Sequence, residues 1–339
     1  MATLGATAYT FADWVSKINP DGSIAKVVEL LSVTNPIIKD AAVVEGNLPT
    51  GHKSTQRTGI PAGTFRLING GVSPEKSSTQ QVVDTCGILE TYAEVDKALA
   101  KLNGMSAEWR ASENAPFIEG MNRTMASTVF YGNTAVDPEK FMGLAPRFNS
   151  KTSTVQSSGQ LVDAGGTGSD NSSIWFVTWS DQTCHLIFPK GGQSGLIHED
   201  LGEDTKVLSS GAMYQVLRDH YVWNLGLCVK DWRYISRIIN IDTSDISTTG
   251  ASGPGGASYS GPNLINLMIT AYHKLYSVGV GNLVIYCNRT VSTALDLLAA
   301  TKSNVWLDRR EYAGEMVTAF RGIPIRICDA ITDAEARIT

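Results

Sequence analysis

The segment from Gly51 to Gln80 constrains this chain most. Gly51, Gly59, Pro61, Gly63, Gly70, Gly71 and Pro74 punctuate it, and glycine and proline at that density interrupt both helix and strand. Only Thr64 to Ile68 alternates apolar and polar residues in part, as a strand does. With so little apolar sequence the segment has no core of its own, and long segments of that kind are functional loops or disordered. It reads as a long hairpin-like loop. It is also locally basic: Lys53, Arg57, Arg66 and Lys76 stand against Glu75 alone.

The rest of the 339 residues, 42% of them hydrophobic, suffices for two or three cores at ~100–200 residues per domain. Charged residues make up 18%, too few for wholesale disorder. The net charge of −5 is unlike the basic balance of a nucleic-acid-binding module, although an acidic protein can enclose DNA without gripping it. Cys86, Cys184, Cys228, Cys287 and Cys328 are far apart and odd in number. They fit neither a disulfide framework nor a zinc motif, so reduced core thiols are expected, with no metal and no cofactor. Residues 1–15 lack the pattern of a secretion signal. No run of about 20 apolar residues suits a membrane span. A soluble protein, intracellular when made, is expected.

Residues 1–50 read as an extended arm with one short helix, capped by Ser23 and carrying Ile24, Val27, Val28 and Leu31 on one face. Asn35-Pro36 closes it. Val82, Cys86, Leu89, Tyr92, Val95, Leu99 and Leu102 recur at three- and four-residue steps and predict a helix ending at Asn103-Gly104. A second helix starts near Ser106 or Pro116, with Phe117, Met121, Met125 and Val129 as its stripe. Residues 150–170 are a polar surface loop. Ile174–Trp179 and His185–Phe188 predict an antiparallel hairpin, and Tyr234–Ile241 a further strand. Residues 243–261, rich in Gly, Ser, Thr and Asp, are the strongest linker. Beyond it, Pro262 suits a first helical turn. Leu264, Leu267, Met268, Ala271 and Leu275 then mark a helix, Leu283–Cys287 a strand, Val291, Leu295 and Leu298 a helix, and Ile323–Ile327 a strand. This order predicts an α/β lobe over 262–339.

The motifs of catalysis are missing. Gly165-Gly166-Thr167-Gly168 precedes a strand instead of opening a helix and lacks the Lys-Ser/Thr of a phosphate loop. His52, His185, His198, His220 and His273 form no metal-ligand spacing. Cys184 and His185, adjacent on a strand, should face opposite ways, which argues against a shared metal or a catalytic dyad. His198 to Asp204 reads as a solvated turn, because its carboxylates lack calcium-loop spacing. No Gly-x-Ser-x-Gly elbow occurs. The chain is therefore not expected to be an enzyme.

One charge pattern remains. Residues 81–120 carry Asp84, Glu90, Glu94, Asp96, Glu108, Glu113 and Glu119 against Lys97, Lys101 and Arg110. Ordinary solvated charge explains this. So does complementarity between copies of one protein, with Lys53, Arg57 and Arg66 of one copy meeting Glu90, Glu94, Glu108 or Glu113 of the next. Opposite-sign patches fix register more than they add affinity.

Several stretches resemble the major capsid proteins of short-tailed bacteriophages with the Hong Kong 97-like fold. They include Thr64-Phe65-Arg66-Leu67-Ile68-Asn69-Gly70-Gly71-Val72, Phe130-Tyr131-Gly132-Asn133 and Phe141-Met142-Gly143-Leu144-Ala145-Pro146-Arg147-Phe148. Phe188-Pro189-Lys190-Gly191, Glu199-Asp200-Leu201-Gly202, Asp231-Trp232-Arg233-Tyr234 and Gly322-Ile323-Pro324-Ile325-Arg326 follow in order, so nearly the whole chain is covered. The resemblance implies an α+β fold with an N-terminal arm (1–50), an extended loop (51–80), a peripheral domain with a long spine helix and long strands (81–261), and an axial domain with a return segment (262–339). In the usual order the axial pattern precedes the last peripheral strands. Here it follows them, which resembles the rearranged connectivity of some short-tailed phages.

The resemblance implies a structural subunit that self-assembles, as pentamers and hexamers, into an icosahedral shell around double-stranded DNA contacted non-specifically. The shell would be assembled in the host bacterial cytoplasm, with portal and possible decoration or scaffolding proteins as further partners and no membrane. Two alternatives stay open: an encapsulin-like compartment, since a shell fold does not fix its cargo, and an α/β hydrolase or transferase with an unrecognised site.

Overall fold

The computed structural model describes residues 35–101, 106–247, 263–300, 307–312 and 315–339. The helix expected at Ser23–Leu31, the break at Leu102–Gly104, Pro262 and most of the 243–261 linker lie outside them. In chain order the strands are β1 (Val43–Glu45), β2 (Gly51–Gly59), β3 (Ser78–Asp96), β4 (Leu161–Asp163), β5 (Asn171–Trp179), β6 (Cys184–Phe188), β7 (Leu196–Val207), β8 (Met213–Val229), β9 (Ile235–Asp242), β10 (Asn282–Cys287), β11 (Leu307–Tyr312), β12 (Glu315–Phe320) and β13 (Ile323–Ile327). The longer helices are α1 (Ser106–Tyr131), α2 (Leu264–Lys274) and α3 (Arg289–Ala300). The chain divides into two compact units. Among the described residues, one comprises Ile88–Ala126 and Gly195–Asn224 and the other the remainder.

The larger unit is built on β5, whose nine residues are all buried. Its alternation serves two faces. Ile174 and Phe176 enter a core with Ile238, Ile285, Met268, Val291 and Leu295, so α2 and α3 cover that side. On β5 the next residue, Trp175, packs against Phe130 and Phe148, with ring centroids 6.0 Å away in each case. A strand buried on both faces reads as continuous apolar and small residues, which is why β5 shows no simple in–out pattern. β5 pairs antiparallel with β9 and with β10, β10 runs parallel to β13, and β12 joins β13 to β11. The expected helix–strand–helix–strand order of elements is present, and they share one core with β5 and β9. Asn263 caps α2 by accepting from the Asn266 amide at 3.2 Å, and Asn288 serves the Val291 amide of α3 at 2.8 Å. The β11–β12 hairpin was not foreseen.

Several expectations are corrected. The helix expected from Val82 to Leu102 is a strand over most of its length: β3 runs to Asp96 and pairs antiparallel with β2, from Gly51↔Thr85 to Gly59↔Ser78, and only the short turn Lys97–Ala100 is helical. Val82, Val83, Thr85, Ile88, Thr91 and Val95 are β-branched, and Gly87 sits among them. Such residues resist helix, and pairing with a distant strand satisfies their backbone groups. Ile174–Trp179 and His185–Phe188 form no antiparallel hairpin, since β5 and β6 meet at one parallel bridge, Trp179↔Cys184. β6 instead pairs antiparallel with β8 and parallel with β1. Thr64–Ile68, read as partly strand-like, is not a strand: it pairs with no strand among the described residues.

In the smaller unit β7 and β8 form a long antiparallel hairpin, from Leu196↔Trp223 to Val207↔Met213. This corrects the reading of His198–Asp204 as a turn. The register jumps between Asp200 and Gly202. Gly202 takes φ +72° there, a backbone that a Cβ makes costly and that glycine-type bulges use. Val95, Leu99 and Ala100 form a small core with Leu217 against it. Helix α1 starts at Ser106, so Pro116 lies inside it and not at its beginning.

Candidate assembly surfaces

The β2–β3 hairpin closes at Gly59↔Ser78 and leaves residues 60–77 as a loop without strand or helix. Phe65, Leu67 and Ile68 in this loop are 105%, 84% and 93% exposed. Exposing single apolar residues is ordinary, but three large ones within four positions mark a contact surface. Lys53 and Arg57 lie exposed on β2. Arg66 lies in the loop and donates to the Gly70 carbonyl at 3.1 Å. These three proposed contact cations therefore sit on one hairpin.

The proposed acidic partners are placed differently. Glu90 and Glu94 share β3. Glu90 lies 3.5 Å from His220, whose ring stacks on Tyr92 at 4.3 Å. Glu94 accepts from Arg218 at 2.8 and 3.0 Å and also from Lys206. Burial works against its ionisation, yet these hydrogen bonds outweigh burial and hold its carboxyl below the usual range. Its charge is thus answered within its own subunit. Glu108 and Glu113 belong to α1, and their side chains lie outside the described residues.

Sequence reasoning missed the best-connected carboxylate of the smaller unit. Asp219, 2% exposed, receives Arg110 at 2.8 and 3.2 Å, Asn114 at 3.0 Å and His198 at 2.8 Å. Arg110 also reaches Asp200 at 2.8 Å. The β7–β8 pairing, which sets Asp200 opposite Asp219, assembles this cluster, and nothing local in the sequence announces it. Burial opposes ionisation of Asp219, but the hydrogen bonds from His198, Asn114 and Arg110 prevail and its pKa is lowered. A carboxylate of this kind contributes stability that is fully present above its unfolded pKa, ~3.9. That stability is lost as pH falls through the folded value. Acid unfolding of Asp219→Asn should therefore show a shallower loss of stability below about pH 4 than the parent chain. Parallel pH profiles of the urea midpoint for the two chains would contradict this.

The histidines behave in two ways. His198 and His220 lie beside carboxylates, Asp219 at 2.8 Å and Glu199 at 3.6 Å respectively. His52 and His185 face one another edge-on, with centroids 5.7 Å apart. All five cysteines are free.

Among solved structures, a chain of bacteriophage Epsilon15 is 35% identical, with each chain covered over 100% of its length and a TM-score of 0.78. The bacteriophage JBD30 capsid is 10% identical over 92% of this chain and 99% of its own, with a TM-score of 0.47. The holo-SrpI encapsulin complex from Synechococcus elongatus is 10% identical over 65% of this chain and 92% of its own, with a TM-score of 0.44. No curated protein matches the chain. The long hairpin, long helix and mixed sheet are thus those of a phage capsid subunit with the Hong Kong 97-like α+β fold. The family model for major capsid protein GP7 matches residues 19–339. The chain belongs to that family: it is a structural protein of the phage head, a component of the virion capsid that builds an icosahedral shell from copies of itself.

Proposed function

We propose that the shell encloses double-stranded DNA, is built of pentamers and hexamers, and is held together in part by the 51–80 hairpin lying over a neighbouring copy. Residues 1–50 act as an arm, 81–261 as the peripheral domain and 262–339 as the axial domain near the symmetry axes. Assembly takes place in the host cytoplasm, the chain has no catalytic role, and portal, scaffolding or decoration proteins meet the finished shell. DNA contacts are non-specific, as the net charge of −5 suits a wall and not a clamp.

The observation that carries this reading is the loop itself. Its apolar residues are solvent-exposed within one chain, and burying them against another copy repeats a modest gain at every subunit. Lys53, Arg57 and Arg66 steer the loop towards acidic groups on the neighbour. Glu90, Glu94, Glu108 and Glu113 are the proposed partners, and Glu94 would have to share its carboxylate with Arg218 of its own chain. Exposed pairs of this kind contribute only ~0–1 kcal/mol each, and salt screens them. Arg57→Glu with Arg66→Glu should lower the yield of empty shells and remove part of its salt dependence. Glu108→Lys with Glu113→Lys should restore part of the yield. Unchanged empty-shell yield in the arginine double mutant would move the basic loop to DNA contact and remove the docking role.

A further inference from the structure

The register of the larger unit's sheet brings together three side chains that the sequence keeps apart. His185 on β6 stands directly opposite Cys228 on β8. His52 on β2 presents its ring edge-on to His185. Side chains directly opposite on paired strands share one face of the sheet. One ligand atom from each of His52, His185 and Cys228 lies within 4.8 Å of the other two.

The polar atoms here are incompletely satisfied. His185 is fully buried. Its Nδ1 lies 3.3 Å from the Ser180 carbonyl, which can only accept, so Nδ1 carries the proton and Nε2 presents a lone pair. That Nε2 is buried with no hydrogen-bond partner, and so is Nδ1 of His52. A backbone carbonyl that fixes one ring nitrogen and leaves the other bare is the support that metal-binding imidazoles have. Cys228 is fully buried as well, with Asp84 beside it, the carboxylate that also receives Arg147 at 2.7 Å.

We propose that His52, His185 and Cys228 bind one divalent transition-metal ion of the zinc type, which pins the root of the long hairpin to the β6–β8 pair. Two imidazoles and a thiolate are borderline-soft donors that suit zinc. In a tetrahedral site such atoms stand roughly 3.3–3.6 Å apart, given Zn–N of ~2.0–2.1 Å and Zn–S of ~2.3 Å. Closure from separations of up to 4.8 Å therefore needs a contraction of up to about 1.5 Å, which His52, half-buried on β2, can supply. As the metal–sulfur bond forms, the S–H bond breaks and the proton leaves to solvent. A water molecule takes the fourth position. A groove of about 930 Å³ lined in part by His52, Gln56 and Lys230 gives the entry path. Lys230 opposes an incoming cation and Asp84 favours it.

The test uses the full-length chain in its assembled state. Shells are equilibrated with zinc chloride, freed of unbound metal and analysed for zinc. In parallel, cobalt(II) is added to apo shells and the thiolate-to-cobalt charge-transfer absorption is recorded. The expected result is one zinc per chain, a charge-transfer band, and an unfolding midpoint raised by zinc. Either His52→Ala or His52→Gln should weaken zinc binding more than about tenfold and abolish the zinc-dependent shift. If the alanine chain fails to fold, the glutamine chain decides. No retained zinc, no charge-transfer band, or retention undiminished in the folded His52 variant would each overturn the site and leave a water molecule as the partner of the two bare nitrogens.

Discussion

Glu335→Ala is expected to destabilise the chain by about 3–5 kcal/mol, because it strands a buried arginine. Arg237 and Glu335 are 2.9 Å apart, with side chains 3% and 6% exposed. The guanidinium also donates to the Phe148 carbonyl at 2.8 Å and to Ser173 at 3.1 Å, and it lies 4.5 Å from the centre of the Trp175 ring. Glu335 in turn accepts from Tyr131 at 2.6 Å and from Ser173. Burial first, and the neighbouring carboxylate second, raise the Tyr131 phenol well above its ordinary value, so it remains a donor at any physiological pH. The C-terminal segment is thereby fastened to β5 and β9, with the Glu335 amide donating to the Asn171 carbonyl at 2.9 Å. The Asn240 side chain bonds both the Ile338 carbonyl and its amide.

Removing both charges differs from removing one. A double replacement, Arg237→Met with Glu335→Leu, should cost much less than Glu335→Ala, since no unpaired buried charge is left. Urea unfolding of the dissociated chains measures both. A loss under 1 kcal/mol in the alanine variant, near the usual value for exposed pairs, would mean that water reaches the pair and that the strap contributes little.

The second large effect concerns assembly and not folding. Replacing residues 60–77 by an Asn-Gly turn should leave the chain's stability nearly unchanged and abolish shell formation. β2 and β3 would still pair up to Gly59↔Ser78, and Asn-Gly closes a two-residue hairpin well. The residues removed include the exposed Ile60, Phe65, Leu67 and Ile68, whose loss touches no core, and changes outside the core stay within about 0.5 kcal/mol. Electron microscopy and sedimentation would show free subunits or small rings where the parent chain gives closed shells. Normal shells from the shortened chain would end the proposal that this loop joins neighbours.

The physical origin of each success and failure in reading the sequence is visible in particular elements. The elements α2, β10, α3 and β13 were legible because each carries a local signal: an amphipathic stripe, an asparagine cap or a short apolar run. The loop expected over 51–80 was legible in its middle, 60–77, because glycine and proline act locally, whereas its ends pair as strands β2 and β3. The fold class came from the order of short motifs along the chain. β3 was misread because its apolar spacing fits a helical face, and only pairing with β2 rules that out. The β5–β6 link was misread because a short connection fits a hairpin, whereas β9 and β10 had already taken both edges of β5.

By itself, then, the sequence determined the elements whose preferences are local, the absence of a core in the long loop, and the family of shell proteins to which the chain belongs. Tertiary structure alone decided which distant residues meet. Arg237 and Glu335 are 98 positions apart, Asp219 gathers Arg110 from 109 positions away, and His52 meets His185 and Cys228 through strand register. Such contacts arise when backbone pairing and burial are satisfied over the whole sheet at once. No window of neighbouring residues contains that information, because the partner that makes each contact favourable lies outside it.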